Sequence, residues 1–64
     1  MNPNWKLVNM EVTMSQTIYF YEDEATGNTR TVWNHFEYTD TQCTIVRTVT
    51  IIKDSDGNIL EHIE

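Results

Sequence analysis

The sequence predicts an all-β fold: a small five-stranded antiparallel meander that curls as a sheet or closes as a small barrel. Three observations predict it. Apolar residues recur at every second position through successive segments, the period of a pleated strand. β-Branched and aromatic residues crowd those segments, as suits a half-buried pleated surface. Short polar breaks, two of them containing glycine, separate the segments at hairpin spacing.

The clearest signal is the hairpin from Cys43 to Ile63. Cys43–Lys53 is a long β-branched run, Asp54-Ser55-Asp56-Gly57 is a turn, and Asn58–Ile63 is a short apolar run. Asp-Gly between two such runs is a strong short-range hairpin signal. Within the longer run Cys43, Ile45, Arg47, Val49 and Ile51 alternate with Thr44, Val46, Thr48, Thr50 and Ile52. Apolar residues on both sides predict a central strand or one covered on both faces.

The upstream segments follow the same logic. In Trp5–Met14, Val8, Met10, Val12 and Met14 share the predicted core face, and Leu7, Asn9, Glu11 and Thr13 share the other. Pro3 cannot donate a ladder hydrogen bond, so pairing is expected to begin after it. Ser15-Gln16 is a brief break. In Thr17–Glu22, Ile18 and Phe20 point one way, Tyr19 and Tyr21 the other. The acidic stretch from Glu22 to Asn28 reads as a hairpin tip, where Gly27 or Asn28 can take positive φ.

In Thr29–Tyr38, Arg30, Val32, Asn34, Phe36 and Tyr38 alternate with Thr31, Trp33, His35 and Glu37. A helix competes here, because Val32 and Phe36 are four apart with Trp33 beside them. The alternative fold is therefore α+β, with a short helix near residues 30–38. Thr, Asn, His and aromatic residues are middling helix formers, which favours the strand. Thr39–Gln42 is a polar turn.

Sixty-four residues predict one small β domain over residues 1–64. A chain this short buries only about 60% of its unfolded surface, so its margin of stability is thin. Small scaffolds lean on disulfides, metals or self-association, and a sole cysteine, Cys43, excludes an intrachain disulfide. The first residues carry no basic flank or apolar stretch, and no segment is long enough to span a membrane. Cytoplasmic localisation is the expectation. The net charge of −6 opposes binding to phosphate backbones and permits a basic partner. No helix is evident to cover the sheet, which leaves closure or a second copy of the chain.

No catalytic pattern emerges. Asp54-Ser55-Asp56-Gly57-Asn58 has a glycine too early for a calcium loop, and a strand follows at once. Cys43, His35 and His62 lack metal-ligand spacing. No metal site or cofactor is expected. Nothing positions an oxyanion hole, and a pocket of about 300 Å³ or more is not expected in so short a chain. The expectation is no enzyme.

The candidate partner-binding residues are Tyr19, Tyr21, Trp33 and His35, taken as one aromatic face, with Glu22, Asp23 and Glu24 at the adjoining tip. Clustered exposed aromatics mark interfaces, and an acidic tip steers toward a basic surface. The leading reading is a non-enzymatic protein–protein interaction module. Its sharper form is an acidic inhibitor of a nucleic-acid-binding protein. The alternative is a structural subunit of a homo-oligomer whose sheet is completed by self-association. A single-stranded nucleic-acid binder, stacking bases on its aromatics, is disfavoured by the charge.

Overall fold

Alternation in the sequence becomes five strands: β1 (Trp5–Val12), β2 (Gln16–Asp23), β3 (Thr29–Tyr38), β4 (Cys43–Lys53) and β5 (Ile59–Ile63). A computed structural model describes residues 4–64, so Pro3 lies outside the described residues. The strands form one antiparallel sheet in the order β1-β2-β3-β4-β5. The helix considered for residues 30–38 is not adopted. Thr29–Tyr38 pairs along its length, with β2 at one end and with β4 throughout, and those ladders satisfy a backbone that its residues favour only weakly as helix. β1 pairs with β2 and β5 with β4, and no ladder joins β1 to β5. The sheet is therefore open and not a closed barrel.

Local chemistry sets the turns. The Thr13 hydroxyl accepts the Ser15 and Gln16 N–H groups at 3.4 and 3.1 Å, ending β1 at Val12 and not Met14. The Thr39 hydroxyl accepts the Gln42 N–H at 3.2 Å in the same way. Such side-chain bonds offer the backbone an alternative to the ladder. Between β2 and β3, Asp23 N–H donates to the Asn28 carbonyl at 2.9 Å. Gly27 sits there at φ +76°, a conformation other residues rarely take. Between β4 and β5, Asp54 N–H donates to the Asn58 carbonyl at 2.9 Å, and Gly57 takes φ +89°.

Three bulges interrupt the ladders. Leu7 pairs Tyr21 but Asn9 pairs Phe20, which leaves Val8 as the extra residue of β1. His35 pairs Arg47 but Phe36 pairs Ile45, which leaves Val46 extra in β4. Ile52 pairs Glu61 but Lys53 pairs Ile59, which leaves Leu60 extra in β5. Each bulge reverses the phase of the residues beyond it. Leu7 thereby joins the side of Met10 and Val12, contrary to simple alternation. Ile45 and Cys43 likewise part from Arg47, Val49 and Ile51 and join Phe36 and Tyr38.

Directly paired residues project to the same side of a sheet. One side, the Tyr19 face, carries the five-strand row Met10–Tyr19–Val32–Thr50–Ile63. The other, the Trp33 face, carries Glu11–Ile18–Trp33–Val49 and Asn9–Phe20–Thr31–Ile51–His62. A single layer of this kind is extended. Its radius of gyration is 13.7 Å, against about 11 Å for a compact chain of this length. Its accessible surface is 4912 Å², against roughly 4,300 Å² for a folded monomer of this mass. Among the described residues Ile18, 9% exposed, is the one buried apolar side chain.

Candidate interaction surface

The aromatic cluster expected from the sequence divides between the two sides. Ile18 pairs Trp33, Tyr19 pairs Val32, Tyr21 pairs Arg30, and Gln16 pairs His35. Trp33 and His35 therefore share the side of Ile18 and Phe20, while Tyr19 and Tyr21 share the side of Val32 and Phe36. The cause is the tip. With Asp23 opposite Asn28, four residues lie between them, so odd positions of β2 meet even positions of β3. Alternation within each strand is as expected; the phase between strands is reversed.

The three acidic residues also separate. Asp23 belongs to β2, not to the loop, and is only 6% exposed. Its carboxylate accepts the Ala25 N–H at 3.0 Å, and its carbonyl accepts Gly27 N–H at 2.8 Å. It holds the tip together and is not free to meet a partner. Glu22 is exposed on the Trp33 face. Glu24 is exposed in the loop and pairs with Lys6 at 3.1 Å.

The Trp33 face largely shelters itself. Ile18, Phe20, Trp33, Val49 and Ile51 sit on β2, β3 and β4, flanked on both sides by neighbouring strands, and all are buried or half-buried. Beside them lies a shallow, open groove of about 410 Å³, lined by Gln16, Trp33, His35, Arg47, Val49, Ile51, His62 and Glu64. Its volume exceeds the pocket expected of so short a chain, but it is broad and not enclosed. Glu64 pairs with Arg47 and lies 3.7 Å from His62, so the groove's charged rim is already matched within the chain.

The Tyr19 face shelters its inner residues Tyr19, Tyr21, Val32, Phe36 and Ile52 to a similar half-buried degree, but not its rim. Among the described residues eleven large apolar side chains are exposed. Six of them, Leu7, Met10, Val12, Tyr38, Ile45 and Ile63, project from this face, and Ile59 alone from the other. Val8, Val46 and Leu60 are the bulge residues, and Met14 follows β1. At one corner Arg30 stacks between aromatic rings, its guanidinium carbon 4.3 Å from the Tyr21 centroid and 5.1 Å from that of Trp5. Tyr19 and Tyr21 lie 6.5 Å apart, tilted by 31°. Asn34 accepts the Thr48 hydroxyl proton at 2.9 Å, which matches two polar groups between the apolar rows. Partial desolvation first, and then the neighbouring Cys43, hold the Tyr38 phenol above its usual pKa.

No family model, curated protein or solved structure matches this chain. Its chemistry must therefore be read from the site. Among the described residues no group of three or more His, Cys, Asp or Glu could hold a metal, and no helix is long and apolar enough to cross a membrane. Sequence reasoning did not single out Leu7, Met10, Val12, Arg30, Tyr38, Ile45 or Ile63 for this surface, and the Val8, Met10, Val12 and Met14 side chains it expected in the core are exposed. Leu7 and Ile45 reach the Tyr19 face only through bulges. One signal pointed to the first bulge: Asn9, a poor strand former, whose side-chain carbonyl accepts the Met10 N–H at 2.9 Å.

Proposed function

We propose that this chain is a non-enzymatic protein–protein interaction module whose Tyr19 face is covered by another protein layer. One observation carries the reading: six of the large exposed apolar side chains project from one face of a single-layer sheet, against one from the other. A sheet normally buries one face against a second layer, and contiguous exposed apolar surface marks an interaction site. Trp5, Tyr21 and Arg30 at its corner are the residue types that dominate binding energy at interfaces.

The acidic-inhibitor form of this reading needs carboxylates on the contact surface. Here the outward charge of the Tyr19 face is confined to Arg30 and Glu61. The acidic groups Glu22, Glu24, Asp54 and Asp56 lie at or beside the two hairpin tips, where they can speed encounter with a basic surface without forming the contact. The recognition assigned to this face is therefore apolar.

The test is oxidative footprinting in cells of the native host. Met10 is 50% exposed and Met14 86% exposed, so in a bare sheet both oxidise readily. Under a covering layer, Met10 oxidises about tenfold more slowly than Met14, because sulfoxide formation follows access. Equal rates for the two methionines would remove the reading.

A further inference from the structure

We infer that the layer covering the Tyr19 face is a second copy of this chain, stacked across a two-fold axis to complete a β-sandwich. The inference rests on the docking reading above and names its occupant. Four observations favour this partner.

The first is extent. The exposed apolar residues of this face lie on its perimeter: Leu7, Met10 and Val12 on edge strand β1, Ile63 on edge strand β5, and Tyr38 and Ile45 on the β3–β4 overhang. An occupant must be as wide as the sheet to cover them, and a bound peptide would leave most in water. A second copy has the same outline. The 44 × 21 × 20 Å extents of the molecule bound the face at roughly 900 Å², room for the ~800 Å² per partner of a standard stable interface.

The second is charge. Two chains of net charge −6 repel unless their carboxylates stay apart. The two acidic tips touch at one end of the sheet, where a Cβ on Gly27 would lie 3.2 Å from Ser55 Cβ. A two-fold stack with antiparallel sheets sends these ends to opposite poles.

The third is self-complementarity. An isologous interface matches each group with a group of the same surface. The two outward charges, Arg30 and Glu61, are opposite in sign and share the row Leu7–Tyr21–Arg30–Ile52–Glu61. The two-fold that parts the tips runs across the strands and carries this tip-side row to the opposite pole, so neither charge faces its like in the other copy.

The fourth concerns the edges. β1 and β5 each carry a bulge, at Val8 and Leu60, and bulges blunt strand addition. Copies are thereby directed to stack face to face and not to extend the sheet.

The experiment is sedimentation equilibrium of the full chain from about 1 µM to about 200 µM, with melting temperature followed over the same range. The expected mass is twice the 7.6 kDa of the chain, with melting that rises with concentration. The double variant Met10→Glu, Ile63→Glu, at both ends of the central row, is expected to lose the dimer; Ile59→Glu on the Trp33 face is expected to keep it. The double variant can also unfold, so a second measurement uses the unaltered protein. Isotope-filtered NMR on mixed labelled and unlabelled chains should show contacts between copies from the Met10, Ile45 and Ile63 methyls. Contacts from Val49 or Ile51 instead would overturn the inference. So would a monomer throughout. A monomer whose Met10 is nevertheless shielded in the host leaves the docking reading standing with a different protein as occupant. A monomer with Met10 unshielded removes both.

Discussion

On the Trp33 face, Ile18, Phe20, Trp33, Val49 and Ile51 shelter one another. On the Tyr19 face, Leu7, Met10, Val12, Tyr38, Ile45 and Ile63 lie open. Both faces come from the same five strands and both hold large apolar side chains. The difference is placement. The Trp33 face keeps its bulk on inner strands, where neighbours flank each ring, and long side chains such as Gln16 and Arg47 border it; such stems cover apolar area while keeping their polar ends wet. The Tyr19 face also holds half-buried bulk on inner strands, in Tyr19, Tyr21, Val32, Phe36 and Ile52, and adds further apolar side chains on the perimeter, where one side of each residue has no neighbouring strand. The proposed interface therefore rests on apolar content at the rim and not on apolar content alone.

The largest expected effect breaks the contrast at its sheltered side. Ile18→Ala removes the one buried apolar side chain among the described residues and should cost about 2–4 kcal/mol. The unfolding free energy from urea melts should fall by the same amount at every protein concentration, because the Trp33 face shelters within one chain. A loss under about 1 kcal/mol would mean that Ile18 is not the local core.

A smaller effect tests the turn that carries β5 into register. Gly57 holds φ +89°, and nothing lies within 4 Å of a Cβ placed there. Gly57→Ala should therefore act through backbone strain alone, at about 1–2 kcal/mol. Thermal melting would show it as a lowered midpoint with unchanged strand content. An unchanged or raised midpoint would exclude the left-handed turn.

The smallest effect sharpens the same hairpin by pH. The Asp54 carboxylate accepts the N–H groups of Asn58 and Asp56, both at 2.9 Å. These bonds, that from Asn58 foremost, hold its pKa below the ordinary carboxylate value. A depressed folded pKa contributes stability that is complete above the ordinary value near pH 4 and is lost as pH falls through the folded one. The melting advantage of the natural protein over Asp54→Asn should shrink between about pH 5 and about pH 2. A gap that stays constant across that range would show that the carboxylate charge contributes nothing to the turn.

Much of the fold was legible in the residues themselves. Alternation placed β1 to β4, and Asp-Gly at positions 56 and 57 placed the last hairpin. The all-β meander followed, because each turn is built from neighbours in sequence. The candidate surface was only partly legible. Tyr19 and Tyr21 do lie on the proposed face, but Trp33 and His35 lie on the opposite one, and Asp23 serves its own tip. Glu22 and Glu24 remain exposed away from the apolar rows.

Periodicity along a strand is a local property, set by the pleat, and the sequence by itself determined it, along with the turn positions and the net charge. Which residues share a face is a property of pairs of strands. The four-residue spacing at the Asp23–Asn28 tip and the extra residues Val8, Val46 and Leu60 each change the phase between strands by one position, and one position exchanges the two faces. Only the paired sheet decided that Leu7 and Ile45 would stand with Tyr19 and that Trp33 would not, because hydrogen-bond register between strands is settled by tertiary pairing and leaves no period in the chain.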